Sequence, residues 1–254
     1  MNHTTFFIVL SVVSEAGFGL LALLGLVGNA HGKASSELFA YTGVGVALLL
    51  ISALPFAQVF GNALSTAPKV RGSLFLPKTI AAFVTYVAAL VFAALWSGRI
   101  DAPQLIALAG VLTAIACATT MLCTAMIDAQ HQMLTPPQTR LAVPTHIVFS
   151  LACGSTLLNV ISFIFGRFQT NAGIFMAGLT VLLILIAASL SALKSYFRGE
   201  RNARSFGFAL LGAGLLSTLL ALLWPWMVLI AAPVVIFAAV IYRRARPSVA
   251  WQNS

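Results

Sequence analysis

Charge is what this chain has least of. Only 7% of its 254 residues are charged and five are acidic, whereas a soluble domain carries about a quarter. An aqueous surface is therefore excluded, and lipid is the solvent. No segment holds a pair of carboxylates, and there is no HExxH, GxSxG or phosphate-cradling Gly-Lys-Ser/Thr. Cysteine is scarce too. Cys117, Cys123 and Cys153 lie inside apolar runs without CxxC spacing, which argues against a metal or iron–sulfur site on this chain and for small buried hydrophobes. Of His3, His31, His131 and His146 only the last falls within a span, so the paired intramembrane histidines of a dihaem cytochrome b are missing. No hydrophilic block is long enough for a separate domain, and no internal repeat stands out as in inverted-repeat transporters. Residues 1–254 therefore read as a single integral membrane domain.

What the chain has in quantity is apolar length. It is 60% hydrophobic, with a mean hydropathy of +1.01. Crossing a bilayer takes about 20 apolar residues, and by that measure the fold class is all-α, a polytopic membrane helix bundle of about eight transmembrane helices. The spans fall near 6–28, 38–63, 79–96, 104–127, 142–165, 173–193, 205–223 and 225–242. The first run lacks a basic leader and a small-residue cleavage site, so a retained span is expected rather than a signal peptide. Only Trp224-Pro225-Trp226 separates the last two runs, and one kinked helix there would give seven spans.

The net charge of +9 does not point to nucleic acid, because the basic residues sit at the ends of apolar runs, where they orient helices. With eight spans, eleven of the 14 Lys and Arg residues lie on the side of both termini, against Lys33, Arg99 and Arg167 on the other. That asymmetry places both termini in the cytoplasm. Trp96, Tyr196, Trp224, Trp226 and Tyr242 fall at span ends, as an aromatic belt requires. Gly17 and Gly19, Gly43 and Gly45, and Gly207, Gly212 and Gly214 suit close helix packing.

Ionisable groups gather in one stretch, Cys123 to Gly154. An apolar run delivers Asp128 and His131 to its end, Pro136 and Pro137 break the helix, Arg140 closes the loop, and a second run carries His146 inward. Glu15 lies near the middle of the first span. A carboxylate there is costly facing lipid, so it should face the bundle interior with a partner or a proton, in either a structural or a proton-transfer role. His146 is open to the same two readings, and Asn159 should bond across helices. The basic loop from Leu64 to Lys78 supplies positive-inside anchors. On the expected topology this loop, Asp128, His131 and His146 share the cytoplasmic side, with Glu15 below them, which suggests one pocket opening to that leaflet.

From Cys123 to Leu158 the chain resembles the membrane anchor subunit of the DMSO reductase family of molybdopterin oxidoreductases. The matching parts are Cys123-Thr124-Ala125-Met126-Ile127, the loop from Thr139 to Pro144, and Leu151-Ala152-Cys153-Gly154; Glu15 followed by the AGFGLLAL run also fits. The resemblance implies an anchor in the bacterial or archaeal inner membrane that holds a molybdopterin catalytic subunit and a ferredoxin-like subunit with 4Fe–4S clusters, and that binds quinone or quinol near the nearest cluster. Molybdopterin and clusters belong to the partners, and the anchor carries no metal or covalent cofactor. Its pattern of a His, a Pro and an Arg after the second span is met here by Ser65, Pro68 and Arg71, with Ser65 where the family has His, and Lys78 stands near the position of a family Glu. Proton transfer would then fall to Glu15, Asp128 or His131, while Ser65, Pro68, Arg71, Lys78 and His146 would contact quinone or a docked partner. The rival expectation is a small-solute or proton-coupled transporter, with Glu15 and His146 lining its path.

Overall fold

The computed structural model describes residues 3–31, 37–64, 75–99, 102–131, 136–168, 170–196 and 202–244. Eight α-helices fill them, without a strand among the described residues: α1 (His3–His31), α2 (Glu37–Leu64), α3 (Phe75–Ala94), α4 (Pro103–His131), α5 (Pro136–Ile164), α6 (Asn171–Tyr196), α7 (Asn202–Leu220) and α8 (Val228–Arg244). Five apolar segments are long enough to cross a membrane: Ile8–Val27, Pro77–Ser97, Pro103–Ile127, Leu141–Ile164 and Gly173–Leu193. Shorter apolar segments lie in α2, α7 and α8. The protein is a multi-pass membrane helix bundle.

Helix ends follow the prolines. Pro136 opens α5, where a missing amide costs nothing because the first turn has no acceptor for it. The Pro-Pro pair therefore starts a helix, and Arg140 lies within α5 rather than in a loop. Pro55, Pro144 and Pro233 sit inside α2, α5 and α8, and each leaves the carbonyl four residues earlier without its amide.

The chain divides into two compact units, Met1–Ile127 and Asp128–Ser254. In the first, α1 is enclosed: every residue from Ser14 to Gly25 is buried. It packs most closely on α2, and Gly17 is the reason. A Cβ there would lie 2.8 Å from the Ala47 carbonyl oxygen and 2.9 Å from the Ile51 nitrogen. Farther along, Gly25 meets Gly110 of α4 backbone to backbone, and a Cβ on either would strike the other's carbonyl oxygen. After α3 a π turn, Leu95–Arg99, turns Trp96 inward. Trp96 is 1% exposed, stacked on Phe92 at 5.1 Å and edge-on to Phe39 at 5.8 Å. It is a core residue and not part of an aromatic belt.

In the second unit α5 packs on α6 and α8, and α7 on α6 and α8, which closes a four-helix ring. α5 ends in a Schellman motif. Gly166 adopts φ +67°, its amide bonds the Phe163 carbonyl at 2.9 Å, and the Arg167 amide bonds that of Ser162 at 2.7 Å. Thr170 then caps α6 by accepting the Gly173 amide at 3.3 Å. Between α7 and α8 the chain breaks at 221–227 and turns back through a short 3₁₀ turn, Pro225–Met227, so these are two helices and not one kinked helix. Trp224 and Trp226 project there, 55% and 53% exposed, as belt residues do. Beneath them Phe168, Ala177, Ala221 and Val228 form a buried cluster.

Candidate functional site

One polar level crosses the first unit. On α1 Ser11 and Glu15 are one turn apart, and the Ser11 hydroxyl donates to Glu15 Oε1 at 3.1 Å. Glu15 is only 9% exposed. Its neighbour Ser14 donates to the Ile51 carbonyl of α2 at 3.0 Å. Ser52, next in α2, donates to the Leu48 carbonyl at 2.8 Å and lies 2.7 Å from the Tyr86 hydroxyl of α3. Thr85, beside Tyr86, lies 3.2 Å from Thr120 Oγ1 of α4. Adjacent residues thus pass the ties from helix to helix, and all of them stand at the height of one carboxyl.

Counting protons gives this level its chemical sense. A hydroxyl has one to donate. Ser11 gives its proton to Glu15, Ser14 to Ile51, and Ser52 to Leu48, so Tyr86 is the donor toward Ser52. Thr85 and Thr120 reach the Ala81 and Ala116 carbonyls of their own helices at 2.8 and 3.0 Å, and the 3.2 Å contact between them is a hydrogen bond when either one turns its proton to the other. The level therefore offers lone pairs and a carboxyl group rather than spare donors. It is suited to receive a proton or to hold a ligand's O–H.

Of the residues singled out from sequence, Glu15 occupies this level. Lys78 stands in the first turn of α3, half-buried and at the end of that span. Asp128 and His131 belong to the last turn of α4, and their side chains lie outside the described residues, as do Ser65, Pro68 and Arg71 altogether. His146 is buried in the second unit, where its carbonyl accepts the Ser150 hydroxyl at 3.0 Å. Among the described residues no three His, Cys, Asp or Glu side chains come together. The hydroxyls around Glu15 were not singled out. Two signals could have found them: the Ser11, Ser14 and Glu15 spacing on one helix face, and a tyrosine in mid-span rather than at its end.

The second unit has its own polar contacts. Asn159 Nδ2 donates to Thr180 Oγ1 at 2.9 Å, tying α5 to α6 as expected, and Thr180 donates onward to the Met176 carbonyl at 2.8 Å. Asn159 Oδ1 and Ser191 Oγ are buried without a hydrogen-bond partner among the described residues.

Compared with protein-family models, curated proteins and solved structures, the chain matches none. Its buried side chains must carry the functional reading.

Proposed function

We propose that this protein is the quinone-interacting membrane anchor of a molybdenum and iron–sulfur oxidoreductase, set in an inner membrane with both termini and its soluble partners on the cytoplasmic face. The observation that carries the proposal is Glu15, a carboxyl buried in a membrane span, which accepts the Ser11 hydroxyl and stands beside Ser14, whose own proton is committed to the Ile51 carbonyl. Oxidation of a bound quinol would release two protons together with two electrons, which a partner's iron–sulfur cluster would take up. The chain's own task is the protons. Glu15, Asp128 and His131 are the groups assigned to those protons, and Ser11 steadies the Glu15 carboxyl. Ser65, Pro68, Arg71, Lys78 and His146 serve headgroup contact or partner docking. The eleven-to-three distribution of basic residues supports the orientation, and the segment from Cys123 to Leu158 supports the family.

The test is a mild-detergent pull-down of the tagged chain from its native membranes, with mass spectrometry and assays for molybdenum and iron. A stoichiometric molybdopterin subunit and a cluster-rich subunit are expected. A chain that emerges alone, free of both metals, and moves protons or solute in liposomes would be a transporter instead.

A further inference from the structure

Ser191 departs from the habit of this molecule. Its neighbours in kind return their protons to their own helix: Ser189 to the Leu185 carbonyl at 2.9 Å, Thr180 to Met176 at 2.8 Å, Ser150 to His146 at 3.0 Å, and Thr145 to Leu141 at 2.5 Å. Ser191 is 4% exposed, and its hydroxyl has no hydrogen-bond partner among the described residues. A buried donor left unmade destabilises the fold, so such a group calls for an explanation.

Helical register says where the hydroxyl is aimed. Ala177, Thr180, Ile184, Ala187 and Ser191 recur at three- and four-residue steps on α6, and all are buried. Thr180 meets Asn159 of α5, so this stripe is the one that faces α5. The chain turns back after α5 through Gly166 and Arg167 to the start of α6 at Asn171, so the two helices run antiparallel. Eleven residues along α6 from Thr180 to Ser191 correspond to eleven back along α5 from Asn159, which reaches Val148. Ser191 is therefore level with the turn of α5 that bears Thr145 and His146, both buried. That level lies toward the ends of α5 and α6 far from the 165–170 turn, where basic residues Arg140 and Lys194 flank the two spans.

We infer that Ser191 is the hydrogen-bond donor that holds a quinone carbonyl oxygen between α5 and α6, beside His146 and Thr145. The inference rests on the quinone reading above. It adds a headgroup seat in the second unit, built on a donor. A carbonyl oxygen needs an O–H or N–H, and among the described residues of the second unit Ser191 is a buried hydroxyl that holds one in reserve.

The full chain in lipid nanodiscs, titrated calorimetrically with a short-chain benzoquinone and a short-chain naphthoquinone, tests this. Ser191→Ala is expected to weaken binding about tenfold, the loss of one hydrogen bond, and Ser191→Thr to retain most of it. Ser189→Ala, on the same helix but exposed and bonded to its own backbone, should bind as the parent does. Without quinone, the melting temperature of Ser191→Ala should equal or exceed that of the parent, because an unmade donor has been removed. Equal affinity of Ser191→Ala and the parent, or a lowered melting temperature, overturns the inference and leaves the anchor reading standing. Failure of the parent chain to bind either quinone overturns both.

Discussion

Ser14 of α1 donates its hydroxyl proton at 3.0 Å to the carbonyl of Ile51 in α2, the carbonyl that Pro55 deprives of its amide. A carbonyl that proline strips of its own helix's amide is thus satisfied by the side chain of another helix. The contact lies next to Glu15, so α2 is tied to the turn of α1 that carries the carboxyl.

Ser14→Ala should leave the Ile51 carbonyl without a donor in an apolar setting, at a cost of about 1 kcal/mol. Pro55→Ala restores the amide that α2 lacks. In that background the Ser14→Ala penalty should shrink toward zero, because the carbonyl then has a partner in its own helix. Unfolding in mixed micelles across the four combinations measures the coupling. An identical Ser14→Ala penalty with and without Pro55 would separate the two residues.

The class of fold was legible because charge poverty and apolar length leave few alternatives. Most helix ends were legible to within a turn, the start of α5 at Pro136 instead of near 142 being the exception, and the Trp224-Pro225-Trp226 boundary is real because proline and two belt residues coincide there. Trp96 read as a belt residue because position along a span does not reveal which way a π turn points the ring. The level around Glu15 was hidden for a different reason. Serine and threonine are common in membrane helices and bond their own backbone, so nothing local marks Ser14 as the partner of a carbonyl 37 residues away. The glycine pattern was half right. Gly17 and Gly214 are close contacts, Gly45 and Gly212 have nothing within 4 Å, and the tightest cross-helix approach, Gly25 on Gly110, was not singled out.

That contrast makes a stability prediction. Gly110→Ala places a methyl group against the Gly25 carbonyl, with the Phe92 ring 3.3 Å away to block retreat. It should destabilise the protein by about 1–3 kcal/mol, and Gly25→Ala should do the same. Gly45→Ala and Gly212→Ala should fall within about 0.5 kcal/mol of the parent or improve on it, since alanine is the better helix former. The fraction remaining monodisperse after heating in detergent ranks the four. A ranking with Gly45→Ala at the bottom would contradict the α1–α4 contact.

Ser52 and Tyr86 should respond unequally to removal. Ser52 gives its proton to Leu48, so the bond between the two hydroxyls at 2.7 Å is donated by Tyr86. Tyr86→Phe removes a donor and leaves Ser52 with its own bond intact, a loss of about 0.5 kcal/mol. Ser52→Ala strands the Tyr86 O–H in the bundle and should cost about twice as much. Adding Tyr86→Phe to Ser52→Ala should then recover stability. Equal single-variant losses that simply add would mean that the donor runs the other way or that the contact contributes little.

Glu15→Gln preserves the shape and the hydrogen-bonding reach of the side chain while removing its capacity to take a proton. In the intact complex it should lower quinone-linked turnover by about a hundredfold, within the usual range for a lost general base, while capture of the partner subunits stays at the parent level. Ser11→Ala, which only steadies the carboxyl, should lower turnover by a few-fold. The comparison of turnover with partner capture decides between roles, because a packing defect in α1 would diminish both and a missing proton acceptor only the first. Full turnover in Glu15→Gln, with Glu15→Leu equally active and more stable, would make the carboxyl a tolerated polar group in the bundle and move the search for the proton acceptor to Asp128 and His131.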